Sequence, residues 1–196
     1  MEGTEVLPDP ATRRAFLRTS GVTFVGGSAT FLVACGDDPT KPRAGPAGGG
    51  GTNDVDILNQ ALDLENTAIA AYTAGAKLLT GEALTIVQKC LGQEQEHAAG
   101  LEQAIKQMGG TPHVPKQSYA EVIGDPKSQA DVLKLGNVIE NAAVQAYVGA
   151  IPRLTDPKLR ATAAAIVTNE AEHITLLRRL LGLTPVPSAF VDGTEA

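Results

Sequence analysis

Tryptophan is absent from the 196 residues, and only three tyrosines and four phenylalanines are present. From about Asp54 onward alanine, leucine, glutamate and glutamine dominate instead, a composition that favours helix over sheet. Positive charge is scarce: the net charge is −6 and no basic stripe runs along the chain, which excludes nucleic acid as a natural partner. Cysteine occurs twice, as Cys35 and Cys90, too few for a disulfide framework. No long hydrophobic run is present either. The weakly apolar stretch 19–34 is about 16 residues, short of the roughly 20 a spanning helix needs.

The N-terminal residues read as a targeting segment rather than as fold. Thr12-Arg13-Arg14-Ala15-Phe16-Leu17-Arg18 resembles a twin-arginine export signal, with Arg13 and Arg14 as the pair. The apolar stretch follows, and Leu32-Val33-Ala34-Cys35 resembles a bacterial lipobox, in which Cys35 becomes the lipidated first residue after cleavage. The resemblance implies an exported lipoprotein of the bacterial cell envelope, periplasmic or on the outer surface. Its partners would be the twin-arginine machinery and, through the lipid on Cys35, a membrane. That machinery, as the resemblance implies, carries proteins already folded. Residues 36–52, rich in glycine and proline, read as a flexible linker, 53–183 as one domain and 184–196 as a tail.

Helix signals divide residues 53–183 into four. Asn53 with Asp56 three residues on is the expected N-cap of the first helix, which runs to about Leu79. Thr80-Gly81 breaks it, and a second helix runs to about Met108 before Gly109-Gly110. Ser128 with Asp131 opens the third, and Asp156-Pro157 opens the fourth, which ends near Gly182. The segment 109–127 is too long for a hairpin turn. A helix of about 26 residues is roughly 39 Å long, and some 19 extended residues cover about 60 Å, so this segment can cross the bundle end to end. The fold class expected is all-α: a four-helix bundle of two helical hairpins joined by a long crossover.

Each helix carries one apolar seam at three- and four-residue steps. In the first it is Leu58, Leu62, Glu65, Ile69, Tyr72; in the second Val87, Cys90, Glu94, His97, Leu101. In the third it is Leu133, Gly136, Glu140, Val144, Tyr147; in the fourth Ala163, Ile166, Glu170, His173, Leu177. The only carboxylates and imidazoles on these seams are Glu65, Glu94, His97, Glu140, Glu170 and His173. The halves also repeat: Leu64-Glu65-Asn66-Thr67-Ala68 matches Ile139-Glu140-Asn141-Ala142-Ala143 at an offset of 75, and Glu94-x-x-His97 matches Glu170-x-x-His173 at 76.

Glu and His three residues apart share a helix face and can converge on one metal. One such pair is a weak signal. Two copies, each on a core seam and each matched by a seam Glu on the preceding helix, form the carboxylate di-metal pattern of ferritin-like bundles. Four carboxylates facing each other in a core carry a severe penalty unless protonated or neutralised, and no Lys or Arg lies on any seam: Lys77, Lys89, Lys134 and Arg178 sit about 120–140° away. Two divalent cations would cancel the charge. Donors of this type, oxygen with imidazole and no thiolate, suit iron or manganese, and also zinc, which lacks redox chemistry.

On these residues the chain, over about 54–182, resembles the ferritin-like superfamily and within it the small exported ferritin-like domain proteins. The resemblance implies that Glu65, Glu94, His97, Glu140, Glu170 and His173 ligate two Fe or Mn ions, and that the activity is redox chemistry on peroxide or dioxygen, of a peroxidase, catalase or ferroxidase type. An external electron donor is then needed, since no rubredoxin-like cysteine pairs are present, and a homo-oligomer is compatible with that reading. The alternative is a non-catalytic metal-binding or stress-protection lipoprotein of the envelope. Iron storage fits less well, because Pro185, Pro187 and Gly193 oppose the short fifth helix of cage-forming members. Tyr72 and Tyr147, two turns from Glu65 and Glu140, read as hydrogen-bond donors near the ligands, as radical-transfer residues or as core tyrosines. Cys90 reads as a small core side chain, Asn66 and Asn141 as ligand supports or interhelical hydrogen-bonders. Glu96 and Glu172 read as solvated or as extra ligands, and His113 as structural or exposed.

Overall fold

The computed structural model of the chain describes residues 51–195. Arg13, Arg14, Cys35 and the linker up to residue 50 lie outside the described residues. Five helices follow in order: α1 (Gly51–Gly75), α2 (Gly81–Gln107), the single turn α3 (Ala120–Ile123), α4 (Gln129–Ala150) and α5 (Pro157–Leu180). Among the described residues there is no strand, and no helix is long and apolar enough to cross a membrane.

The caps explain most boundaries. Ser128 Oγ accepts the Asp131 N–H at 3.2 Å, and the Asp131 carboxylate reaches back to the Lys127 N–H at 3.1 Å. Asp156 caps α5 through the Lys158 N–H at 2.7 Å, with Pro157 at the first helical position. Helix α2 closes in a Schellman turn: Gly109 takes φ 76°, its N–H reaches Lys106 O, and the Gly110 N–H reaches Ile105 O. The same turn closes α5 at Gly182.

Two expectations need correction. The first helix already includes Gly51 and Thr52, so Asn53 is an exposed residue inside it and not its cap. It also stops short of Leu79 as an α-helix: Ala76–Leu78 tighten into a 3-10 turn and Leu79 is extended. Close packing accompanies that change, since a Cβ on Gly75 would stand 2.5 Å from Val132 Cγ1 on α4.

The residue that anchors the start of α1 is Asp54, which is 1% exposed. Its carboxylate accepts the Thr155 N–H at 2.9 Å, the Thr155 hydroxyl at 2.7 Å and the Asp156 N–H at 3.1 Å. Burial alone would raise this carboxyl, but those three donors outweigh it and hold it below the usual carboxylate range. We expect Asp54→Ala to cost about 1–2 kcal/mol in denaturant unfolding, since the part-buried Thr155 and Asp156 donors lose a charged acceptor. The depressed carboxyl contributes stability above its unfolded value near 3.8 and loses it in stronger acid, so the deficit of the variant should shrink as pH falls below that value.

The same contacts set the helix directions. The start of α1 meets the loop between α4 and α5 through Asp54, while the Thr80 N–H after its end meets Gln129 Oε1 at the start of α4. Helix α1 is therefore antiparallel to α4, and α2, whose end at Gly110 lies against Val55, is antiparallel to α1. That makes α2 and α4 parallel. The crossover begins beside α1, where Asn59 bonds Thr111 O and the His113 N–H, and finishes at the far end at Gln129. His113 also lies 3.1 Å from Asp63, a structural role.

Two apolar clusters fill the bundle. One contains Leu58, Leu62, Leu101, Ile105, Leu159 and Ile166. The other contains Tyr72, Val87, Cys90, Leu133 and Leu177. Along every helix the predicted ligands fall between the two, so the bundle holds a buried polar layer between apolar ones.

Candidate metal centre

All six predicted ligands meet in that layer. Glu65, Glu94, Glu140, Glu170 and His173 are each at most 1% exposed, and the His97 side chain is 13% exposed. His97 Nδ1 lies 3.0 Å from Glu170, 3.5 Å from Glu65 and 3.7 Å from Glu94. His173 Nδ1 lies 2.9 Å from Glu94, 3.2 Å from Glu170 and 3.4 Å from Glu140. Two groups of four result, each with ligand atoms within 4.8 Å of one another: Glu65, Glu94, His97, Glu170 and Glu94, Glu140, Glu170, His173. Glu94 and Glu170 belong to both.

These approaches lie within ion-pair distance but lack hydrogen-bond geometry. Both oxygens of Glu94, both of Glu170, Glu140 Oε2 and the Nδ1 atoms of both histidines are buried with no hydrogen-bond partner among the described residues. Buried polar atoms are ordinarily satisfied, so seven orphans converging on one layer fit a bound cation. The donor set, carboxylate oxygen with imidazole, fits the ions that such sites hold.

The tyrosines sit at the layer and pair crosswise. Tyr72 on α1 donates its hydroxyl to Glu140 on α4, and Tyr147 on α4 donates to Glu65 on α1. Each thus supports the Glu of the opposite hairpin, which the spacing along one helix could not show. Gly136 permits the first pairing: a Cβ there would lie 3.0 Å from Tyr72 Cε1 and 3.2 Å from its hydroxyl oxygen. Burial and the neighbouring carboxylates push both phenols well above their ordinary value, so they stay protonated donors. Tyr147 also lines a cavity of about 260 Å³ between α1 and α4, with Ile57, Ala61, Leu64 and Gly149.

Protonation of the metal-free cluster is uneven. Burial pushes Glu65 up to about 8 and Glu140 well above the usual range. Burial would also raise Glu94 and Glu170, but the two imidazoles outweigh it, lowering Glu94 and bringing Glu170 to about 2. For the histidines burial works downward and is overcome: the carboxylates raise His97 to about 12, and Cys90 together with Glu140, Glu170 and Glu94 raises His173. Near pH 7 two carboxylates then face two imidazolium rings. The absence of Lys and Arg from the seams therefore does not by itself demand a metal, because protonated His97 and His173 serve as counter-cations. The orphaned ligand atoms carry that argument instead.

Several residues are placed elsewhere. Cys90 is a free, fully buried thiol of the apolar cluster, next to His173. Asn141 supports no ligand: its amide donates to Asn137 O at 2.7 Å and accepts the Glu195 N–H at 3.0 Å, which pins the irregular C-terminal tail to α4. The Asn66 amide nitrogen is buried without a hydrogen-bond partner among the described residues. Glu96 and Glu172 are exposed and belong to neither group. Sequence reasoning missed Gln93, whose Oε1 lies 3.0 Å from His173 Nε2. Its one signal was adjacency to a ligand, which many residues share.

The model of the ferritin-like domain matches residues 53–183, more than half of the chain. The chain belongs to the ferritin-like family. Two solved structures share the fold of this ferritin-like protein. One is the conserved hypothetical protein Rv2844 from Mycobacterium tuberculosis, 23% identical over 72% of this chain and 99% of that one, with a TM-score of 0.64. The other is described as ferritin-like, diiron-carboxylate proteins from Bacillus anthracis str. Ames, 22% identical over 68% of this chain and 99% of that one, with a TM-score of 0.59. No curated protein matches the chain. Fold, family and a buried Glu/His cluster thus agree on a ferritin-like protein able to bind metal.

Proposed function

We propose that this ferritin-like protein holds two iron or manganese ions in the buried layer and performs redox chemistry on peroxide or dioxygen in the bacterial envelope. The observation that carries the proposal is the sharing of Glu94 and Glu170 by both ligand groups, which would place two ions side by side. Held there in their reduced state, two such ions would supply the two electrons that cleavage of a peroxide O–O bond requires. Glu65 and His97 would complete one position, Glu140 and His173 the other. Tyr72 and Tyr147 orient Glu140 and Glu65 and keep their own protons. The apolar clusters on either side exclude bulk water, and the partial exposure of His97 marks the side nearest solvent. Electrons must come from an external donor. Export through Arg13 and Arg14 and tethering through Cys35 place the chemistry outside the cytoplasm in this reading, supported by the order of the signal parts in the sequence.

The test begins with metal analysis of protein recovered from a membrane fraction of its native host, because Fe and Mn compete for such sites on availability. The loaded protein should consume peroxide or dioxygen catalytically, and Glu94→Ala should reduce turnover at least a hundredfold. A loaded wild-type protein inert to both oxidants would overturn the redox reading and leave the non-catalytic one. Recovery from the soluble cytoplasm alone would overturn the envelope assignment.

A further inference from the structure

The sequence repeat makes the two halves of the cluster equivalent, but their imidazoles are held differently. His173 is 1% exposed, and its Nε2 lies 3.0 Å from Gln93 Oε1 on the neighbouring helix α2. A carboxamide oxygen can only accept, so this contact places a proton on Nε2 and turns Nδ1 toward Glu94, Glu140 and Glu170. The residue equivalent to Gln93 in the other half, at the 76-residue offset, is Asn169. Its amide instead donates to Glu172 at 3.3 Å along its own helix, on an exposed surface. No hydrogen bond reaches His97 Nε2 among the described residues, and the His97 side chain is 13% exposed.

We infer that the two metal positions are unequal, with Gln93 as the positioning residue that makes the Glu140–His173 position the tighter one. The inference rests on the metal reading above. An imidazole already oriented by an acceptor loses little freedom on ligation, and the acceptor raises the basicity of the opposite nitrogen. His97 has neither advantage. The Glu65–His97 position is the one that exchanges ions with solvent and is left empty when metal is limiting.

The experiment titrates the metal-free protein with Co(II), following absorption together with the hyperfine-shifted imidazole N–H signals in proton NMR. The first equivalent should give one slowly exchanging N–H, that of His173, and the second should bind at least tenfold more weakly, with its N–H lost to water exchange. Gln93→Leu should weaken the tighter site by about 10–100-fold and abolish the slow N–H signal. Gln93→Glu, which keeps an acceptor oxygen, should restore both, and Asn169→Leu should change neither. Helix content by circular dichroism, together with retained binding at the weaker site, shows that Gln93→Leu is folded; if it is not, the wild-type and Gln93→Glu titrations decide. Two ions of equal affinity in the wild type, or a Gln93→Leu protein with unchanged binding, would overturn this inference alone. A wild-type protein that takes up no Co(II) would overturn the metal reading and this inference with it.

Discussion

Glu170→Ala is expected to empty both metal positions, whereas Glu65→Ala should empty one. Glu170 stands 3.0 Å from His97 and 3.2 Å from His173, and its two oxygens lie in both ligand groups. Glu65 belongs to one group only. A unit charge 4 Å from another at an effective dielectric of about 20 contributes about 4 kcal/mol. Beside a divalent ion the same expression doubles, so removing a carboxylate costs at least about a thousandfold in affinity. Loading with Fe(II) or Mn(II), desalting and elemental analysis should give about two ions per wild-type chain, about one for Glu65→Ala and close to none for Glu170→Ala. Full occupancy of Glu170→Ala would show that the shared carboxylate is not a ligand. The mirror variants, Glu94→Ala and Glu140→Ala, should follow the same rule, because the repeat relates Glu94 to Glu170 and Glu65 to Glu140.

The second large effect is the coupling of metal to protons. Near pH 7 the metal-free cluster is expected to carry protons on Glu65, Glu140, His97 and His173, with Glu94 and Glu170 ionised, from the directions in which burial and the ion pairs shift them. Ligation requires all six in their deprotonated forms, so two divalent ions displace about four protons and the layer stays electrically neutral in both states. Linkage then makes affinity fall by about a hundredfold per ion for each unit of pH lowered through neutrality. Calorimetric titration in buffers of different ionisation enthalpy counts the protons directly.

Stability should show opposite slopes for the two forms. In the metal-free protein Glu65 is raised from 4.5 to about 8 and His97 from 6.5 to about 12, so the folded state binds more protons than the unfolded one between those limits. Its stability must therefore fall as pH rises from about 6 to 9. At fixed metal concentration the loaded protein gains stability over the same range, as ions win over protons. Melting temperatures of both forms across that range test the sign. Parallel slopes, or fewer than about one proton released per ion, would rule out this protonation scheme.

Much of the centre is legible in the sequence. Helical spacing, the doubled Glu-x-x-His and the 75–76-residue repeat are local or periodic signals, so they single out all six residues that meet in the buried layer, the hairpins and the crossover. The cap at Ser128 and the Asp156-Pro157 start are equally local. The start of α1 is not: the governing residue there is Asp54, and what it meets lies 101 residues away at Thr155. The same holds for Tyr72 with Glu140, 68 residues apart, and for Gln93 with His173, 80 apart. Spacing along one helix suggests each tyrosine for its own helix, whereas packing of α1 against α4 crosses them.

By itself the sequence determined which side chains share a core face, because helical geometry places residues three and four apart together wherever the helix packs. Only the tertiary structure decided how those faces interlock: that Glu94 and Glu170 belong to both groups, that each imidazole faces carboxylates from other helices, and that Gln93 meets His173 while Asn169 bonds Glu172 instead. The physical reason is that charge balance and hydrogen-bond direction depend on distances between helices, and periodicity within one helix carries no information about those distances.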